Sequence, residues 1–174
     1  MIADKGPSCN TEELFDRLVQ DYQMPLKRLC CMYLRDMPLA EDAVQETFLK
    51  VYRTLPQFRN DCSLKTWIMK IGVNTCRDML RSAWFRHHDR RVTPEEMETA
   101  AEENGQAGEA ETLGQAILGL PARYKDVILL YYYQDMTQEE TAEALGTSMS
   151  TVSRRLKHAQ ELLRDVLKGG RADE

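Results

Sequence analysis

TQEETAEALGTSMSTVSRRLK, residues 137–157, decides how the C-terminal half of this chain folds. Thr137-Gln138-Glu139-Glu140 has the T-x-x-E form in which side chain and backbone satisfy each other's orphan amides at a helix start. Gly146 supplies the left-handed stop eight residues into the resulting short helix. A second helix then runs from about Met149 to Leu167, with Val152, Leu156, Ala159, Leu163 and Val166 at three- and four-residue steps. Ala142 is small where the two helices cross, and Leu145, Val152 and Leu156 close the core between them. This is a helix-turn-helix pattern. Its second helix carries Ser150, Thr151, Ser153, Arg154, Arg155, Lys157 and His158, the polar and basic side chains that a major-groove reader needs near its start. A helical hairpin with a solvated basic face would share the pattern.

Outward from that motif, nearly every periodic segment repeats at helical spacing, so the expectation is all-α. Pro121 suits the first turn of a helix running to about Gln134, and the block begins near Leu113. Before it, residues 86–112 hold Gly105, Gly108, many Glu and Ala, and few large apolar groups. They bury too little surface to offset the entropy of ordering, and read as a flexible acidic linker, although a solvated helix over Pro94–Glu103 is an alternative. The first block has Leu14, Leu18, Leu26, Leu29, Tyr33 and Leu34 on one face of a stretch in which Pro25 must introduce a kink or begin a second helix. Leu39–Leu55 follows, then a loop with Phe58 to Asp61, then a long helix from about Ser63 to Trp84. Two small helical domains result, residues 10–85 and 113–170, joined by 86–112.

A net charge of −5 conceals strong segregation. Ten bases against three acids between Lys50 and Arg91 leave +7, whereas Val92–Thr112 has seven acids and no base. A local basic surface is the electrostatic footprint of nucleic-acid binding. On the long helix, Thr66, Lys70, Asn74, Arg77 and Arg81 form a polar stripe. Lys and Arg can hold phosphates there and Asn can read a base edge. Trp67, Ile68, Ile71, Met79 and Leu80 should pack inward. Phe58, Trp67, Trp84 and Phe85 could stack unpaired bases, although a tryptophan such as Trp67, taken by itself, is more often core than platform. On Leu39–Leu55, Ala43, Val44, Thr47, Phe48, Val51 and Tyr52 face inward. Asp42, Gln45, Glu46 and Leu49 form an opposite stripe that could dock on a basic partner helix, or simply be solvated.

Other function classes find little support. Five cysteines with no CxxC make no disulfide framework or zinc site, and adjacent Cys30 and Cys31 would pair only with strain. No metal, cofactor or catalytic residue is expected, because no phosphate-cradling glycine loop, metal-ligand spacing or nucleophile–base pair occurs. Helix capping accounts for Glu139 and Glu140. The residues from Met1 to Asn10 are not those of a secretory signal, and no apolar run approaches the roughly 20 residues that cross a bilayer. A cytoplasmic protein, not itself a membrane protein, is expected.

The order of these signals resembles the extracytoplasmic-function group of sigma-70-type sigma factors. The resemblance rests on Ala40-Glu41-Asp42-Ala43-Val44-Gln45-Glu46-Thr47-Phe48, Phe58-Arg59-Asn60-Asp61, Lys65-Thr66-Trp67-Ile68, Val73-Asn74-Thr75-Cys76-Arg77-Asp78, Leu120-Pro121-Ala122-Arg123-Tyr124 and the helix-turn-helix. It implies that the first block is sigma region 2, in which Asp42, Gln45, Glu46 and Leu49 bind the β′ clamp helices of core RNA polymerase. The loop and long helix would then bind the −10 element and its melted strand through Arg59, Asn60, Asp61, Ser63, Lys65 and Asn74, with Lys70, Arg77 and Arg81 of the basic stripe beside them. The second block would be region 4, meeting the −35 element through Ser150, Thr151, Ser153, Arg154, Arg155, Lys157 and His158, and the polymerase β flap through another surface. An anti-sigma partner, often membrane-tethered in this family, and promoter DNA are the further partners implied. Asn60 stands where the family usually has glycine, Leu64 where an aromatic is usual, and His158 and Gln160 where arginines are common. These departures bear on DNA preference, and at His158 on pH sensitivity. The rival reading is a dimeric transcription regulator whose first block senses a ligand or partner.

Overall fold

The structure, a computed structural model, describes the backbone of residues 9–89 and 109–169 and the side chains of 11–82 and 113–168. Among these residues all regular structure is helical. The first block comprises α1 (Cys9–Leu34), α2 (Met37–Thr54), a 3-10 turn (Leu55–Gln57) and α3 (Leu64–Asp89). The second comprises α4 (Glu109–Leu118), α5 (Ala122–Ile128), a π-helical turn (Leu129–Tyr133), α6 (Gln138–Leu145) and α7 (Met149–Gly169). The expected linker lies mostly outside the described residues, except that α3 and α4 extend into its two ends.

Helix α1 runs through Pro25 rather than restarting there. Proline forgoes the amide bond one turn back, but Leu26, Leu29 and Cys30 just beyond it are fully buried, and that packing carries the helix across. Asp36 starts α2 by accepting a hydrogen bond from the Leu39 amide at 2.8 Å, with Pro38 in the first turn. Its inward face is Ala40, Ala43, Val44, Thr47, Phe48 and Val51, as the periodicity predicts, and Tyr52 meets Phe15 edge-on at 5.0 Å. On α3 the backbone comes so close to α1 that a Cβ at Gly72 would stand 2.5 Å from Leu26 Cδ1. A side chain there would force Leu26 to shift.

In the second block the local signals act where the sequence puts them. Thr137 and Glu140 form both halves of the capping box, at 3.1 and 2.8 Å. Gly146 takes φ +62° and closes α6, and the Thr147 amide bonds back to the Ala142 carbonyl at 2.9 Å. The helix expected from Pro121 to Gln134 instead ends its α-helical part at Ile128 and widens into the π turn, with Leu129 and Leu130 buried. Val166, expected on the inner face of α7, is exposed, as is Leu80 on α3.

The two blocks share one hydrophobic cluster. It includes Leu26, Leu29, Tyr33, Met69, Val73 and Cys76 of the first and Ile117, Val127, Leu130, Met136, Val152 and Leu156 of the second. A smaller cluster of Leu18, Val51, Leu55 and Ile68 lies within the first block, covered by Phe15, Tyr22, Leu64, Trp67 and Ile71. Helix α6 packs on α3.

Candidate nucleic-acid interface

Three surfaces emerge, in the places the sequence suggests. On α2, Asp42, Gln45 and Leu49 are exposed on one face and Glu46 is half-buried. Glu46 lies 3.6 Å from Lys50 one turn on, and Lys50 also donates to the Thr75 hydroxyl at 3.1 Å. The ion pair is partly solvated, so its stabilisation is small. Beside it stands an open apolar side chain, Leu49, which is 48% exposed.

The second surface is the loop before α3 and the helix itself. Arg59, Asn60, Asp61, Ser63, Asn74 and Arg81 are exposed, while Lys65 and Lys70 are half-buried. Asn60 adopts φ +59°, the left-handed conformation that asparagine tolerates better than most side chains. Ser63 also starts α3, because its hydroxyl accepts from the Thr66 amide at 3.1 Å. Thr66, expected on the polar stripe, is buried, with its hydroxyl 2.8 Å from that of Ser63. Phe58 and Trp67 stack on each other, ring centres 4.7 Å apart, so they support the loop as a pair. The side chains of Trp84 and Phe85 lie outside the described residues. Arg81 stands 3.5 Å from Asp78. Arg77 makes the least expected contact: its guanidinium is paired with Asp126 of α5, in the other block.

The third surface is on α7. The Ser148 hydroxyl caps its first turn, accepting from the Thr151 amide at 3.2 Å and touching the Ser150 and Thr151 hydroxyls. Beyond the cap, Arg154, Arg155, Lys157 and His158 line an open cleft of about 470 Å³ together with Arg123, Tyr124 and Glu161. Arg123 lies over the Tyr124 ring at 4.7 Å, and that ring meets the His158 imidazole at 5.0 Å with a tilt of 46°. His158 Nδ1 is 3.5 Å from Glu161, a contact that counts as an ion pair only with the imidazole protonated. Four permanent cations around one cleft suit phosphates. Gln160 is turned out of it, donating to the Tyr132 hydroxyl at 2.5 Å. The sequence marks Arg123 and Tyr124 only as part of the motif after Leu120 and gives them no place beside the recognition helix, because α5 meets α7 only in the fold.

Among the described residues no group of three metal-ligating side chains occurs, and no helix is long and apolar enough to cross a membrane. The buried thiol of Cys30 faces Cys76 across α1 and α3 rather than its neighbour Cys31. The hydrogen bond between them and burial both push Cys30 far up from its ordinary pKa, which leaves it unreactive.

Comparison with known proteins agrees with this layout. Residues 18–86 match the sigma-70 region 2 family and residues 110–163 match sigma-70 region 4. RNA polymerase sigma factor SigV of Bacillus subtilis is 31% identical over 154 residues, covering 88% of this chain and 91% of SigV. The extracytoplasmic-function (ECF) sigma factor SigW of the same organism is 28% identical, with 90% of each chain covered. The solved sigma factor RpoE of Bartonella quintana, in complex with the anti-sigma factor NepR, has the same fold. Its TM-score is 0.72 at 20% identity, over 88% of this chain and 96% of RpoE. CnrH in complex with the cytosolic domain of CnrY follows at 0.68 and 24%, over 94% and 91%. The chain belongs to the sigma-70 family of RNA polymerase sigma factors, in its extracytoplasmic-function group.

Proposed function

We propose that this sigma factor docks on the β′ clamp helices of core RNA polymerase through Asp42, Gln45, Glu46 and Leu49, and reads promoters with its other two surfaces. The cleft on α7 sits on the −35 element, where Ser150, Thr151, Ser153, Arg154, Arg155, Lys157 and His158 contact bases and phosphates and Arg123 adds a backbone contact. Arg59, Asn60, Asp61, Ser63, Lys65, Lys70, Asn74, Arg77 and Arg81 hold the −10 element. The second block also meets the β flap. The observation that carries this reading is the cationic cleft that α7 forms with α5 just beyond its capped first turn.

Opening a duplex costs a few kcal/mol per unstacked step. Capture of flipped bases by the loop before α3 offsets that cost, so melting proceeds without a nucleotide cofactor and without any catalytic residue in this chain. The domains act as residues 10–85 and 113–170, with the acidic 86–112 between them. An anti-sigma protein, membrane-tethered or soluble, is the expected inhibitor in the cytoplasm. RpoE, which shares this fold, is solved with the anti-sigma factor NepR, and CnrH with the cytosolic domain of CnrY.

Run-off transcription with core polymerase and a pool of promoter fragments tests the assignment. A distinct promoter set should be transcribed, and lost when Asp42→Ala and Glu46→Ala are combined. Transcription by the double variant at the wild-type level would remove α2 from the docking role.

A further inference from the structure

The Asp126 carboxylate is almost wholly buried, with 3% of its side chain accessible. An ionised group in that position needs partners, because removal from water is costly. Both of its partners come from the other block. The Tyr33 hydroxyl of α1 donates to one oxygen and the Arg77 guanidinium of α3 to the other. Around this point Gln134 donates to the Pro25 carbonyl at 3.1 Å, and Arg35 to Gln115 at 3.0 Å. The Lys125 ammonium stands 5.8 Å from the centre of the Tyr33 ring. These contacts join the blocks at polar points, and the shared hydrophobic cluster joins them elsewhere.

Such an arrangement cannot engage a promoter. The −35 and −10 elements lie about 25 base pairs apart, or about 85 Å at 3.4 Å per pair. A compact chain of this length has a radius of gyration of about 16 Å, hence a diameter of about 40 Å. The roughly 20 peptide steps from Asp89 to Glu109 can reach about 70 Å when extended, so the covalent connection permits the blocks to part. In the packed state Arg77, part of the basic stripe, is already neutralised by a carboxylate, and α6 lies against α3. Asp42, Gln45 and Leu49 on α2 meanwhile face solvent.

We propose that Asp126 is the latch of a self-closed state, in which its carboxylate holds Arg77 in place of a DNA phosphate and keeps the two blocks packed while the α2 docking face stays open. This rests on the promoter-reading role given to α3 above. Core polymerase can therefore capture the closed chain first, and DNA gains the −10 surface only after the blocks separate. Closure is a property of the chain itself and needs no inhibitor.

The test uses the full chain as wild type, Asp126→Asn and Tyr33→Phe. Asparagine keeps the shape but loses the charge, and turns an amide donor toward one of the two donors it faces. Small-angle scattering should give a compact wild type and a radius of gyration several ångströms larger for Asp126→Asn. Anisotropy with a fluorescein-labelled, mixed-sequence 20-nucleotide single-stranded DNA should show about tenfold tighter binding for Asp126→Asn. Tyr33→Phe, which leaves every DNA-contact residue intact, should gain a smaller factor. A wild type already extended in scattering, or an opened variant with unchanged DNA affinity, overturns the latch. If Asp126→Asn loses helicity by circular dichroism, the Tyr33→Phe comparison decides: unchanged compaction and unchanged DNA affinity overturn it. Capture of core polymerase by wild type is measured alongside. Its absence refutes the docking role and leaves the closure result standing by itself.

Discussion

Phe48 and Leu49 are neighbours in sequence on opposite faces of α2, and truncating each should harm a different property. Leu49 is 48% exposed in the free chain. Fully burying a leucine side chain contributes about 1.5–3 kcal/mol, so covering the exposed half in a complex contributes about 0.7–1.4 kcal/mol. Leu49→Ala should therefore weaken core-polymerase binding about three- to tenfold, and leave the melting temperature where it was. Phe48 is 8% exposed and packs edge-on against Phe15 at 6.2 Å. Phe48→Ala should lower stability by about 3–5 kcal/mol through the cavity it leaves. The assay is competition for core polymerase against labelled wild type, with urea denaturation of each variant in parallel. Wild-type affinity for Leu49→Ala would refute the docking assignment. A matching loss of stability in that variant would mean that the face is not the free surface described.

Three further outcomes follow from the geometry. Arg154→Ala with Arg155→Ala should reduce the salt dependence of promoter binding by the holoenzyme, lowering the log–log slope by about two, with capture of polymerase unchanged in a pull-down. Gly72→Ala should destabilise the chain by about 1–2 kcal/mol in urea: the added methyl needs about 1 Å that fully buried Leu26 cannot yield, and this overpacking exceeds the helix-propensity gain. Burial, and next the Asp126 charge, raise the pKa of Tyr33 well above its ordinary value of 10.0. Its contribution to stability is complete below pH 10 and is lost as pH rises through the folded value. Above pH 10 wild type should lose up to about 1.4 kcal/mol per pH unit more than Tyr33→Phe, measured as urea midpoints at pH 8, 10 and 11.

What could be read from the sequence was what acts locally. The capping box at Thr137 and Glu140, the stop at Gly146 and the inward face of α2 involve residues within a turn or two of one another, and each stands in the structure as its pattern implies. What escaped depends on distant segments meeting. Arg77 and Asp126 are 49 residues apart, so the stripe on α3 reads as wholly solvated until α5 is placed beside it. Thr66 lies on the stripe by angle, yet α3 begins so close to it that the Ser63 cap and the core claim its side chain. The π turn at Leu129–Tyr133 leaves no mark on an apolar run that suits either helix type. Pro25 leaves a kink and a restart both open in the sequence, because its local cost is plain there and the burial that carries one helix across it is not. Residue pattern marks the α7 face, the α3 stripe and the acidic α2 stripe, the family resemblance adds the loop residues and the partners, and the structure leaves most of these side chains on the surface.

The single hydrophobic cluster spanning both blocks has a consequence for the protein's lifetime in the cell. Parting the blocks bares apolar side chains of α1, α3 and α5 to water, and a bared chain is substrate for chaperones, proteases and self-association. Opening away from polymerase should therefore leave the chain more exposed to proteolysis and self-association than opening on it.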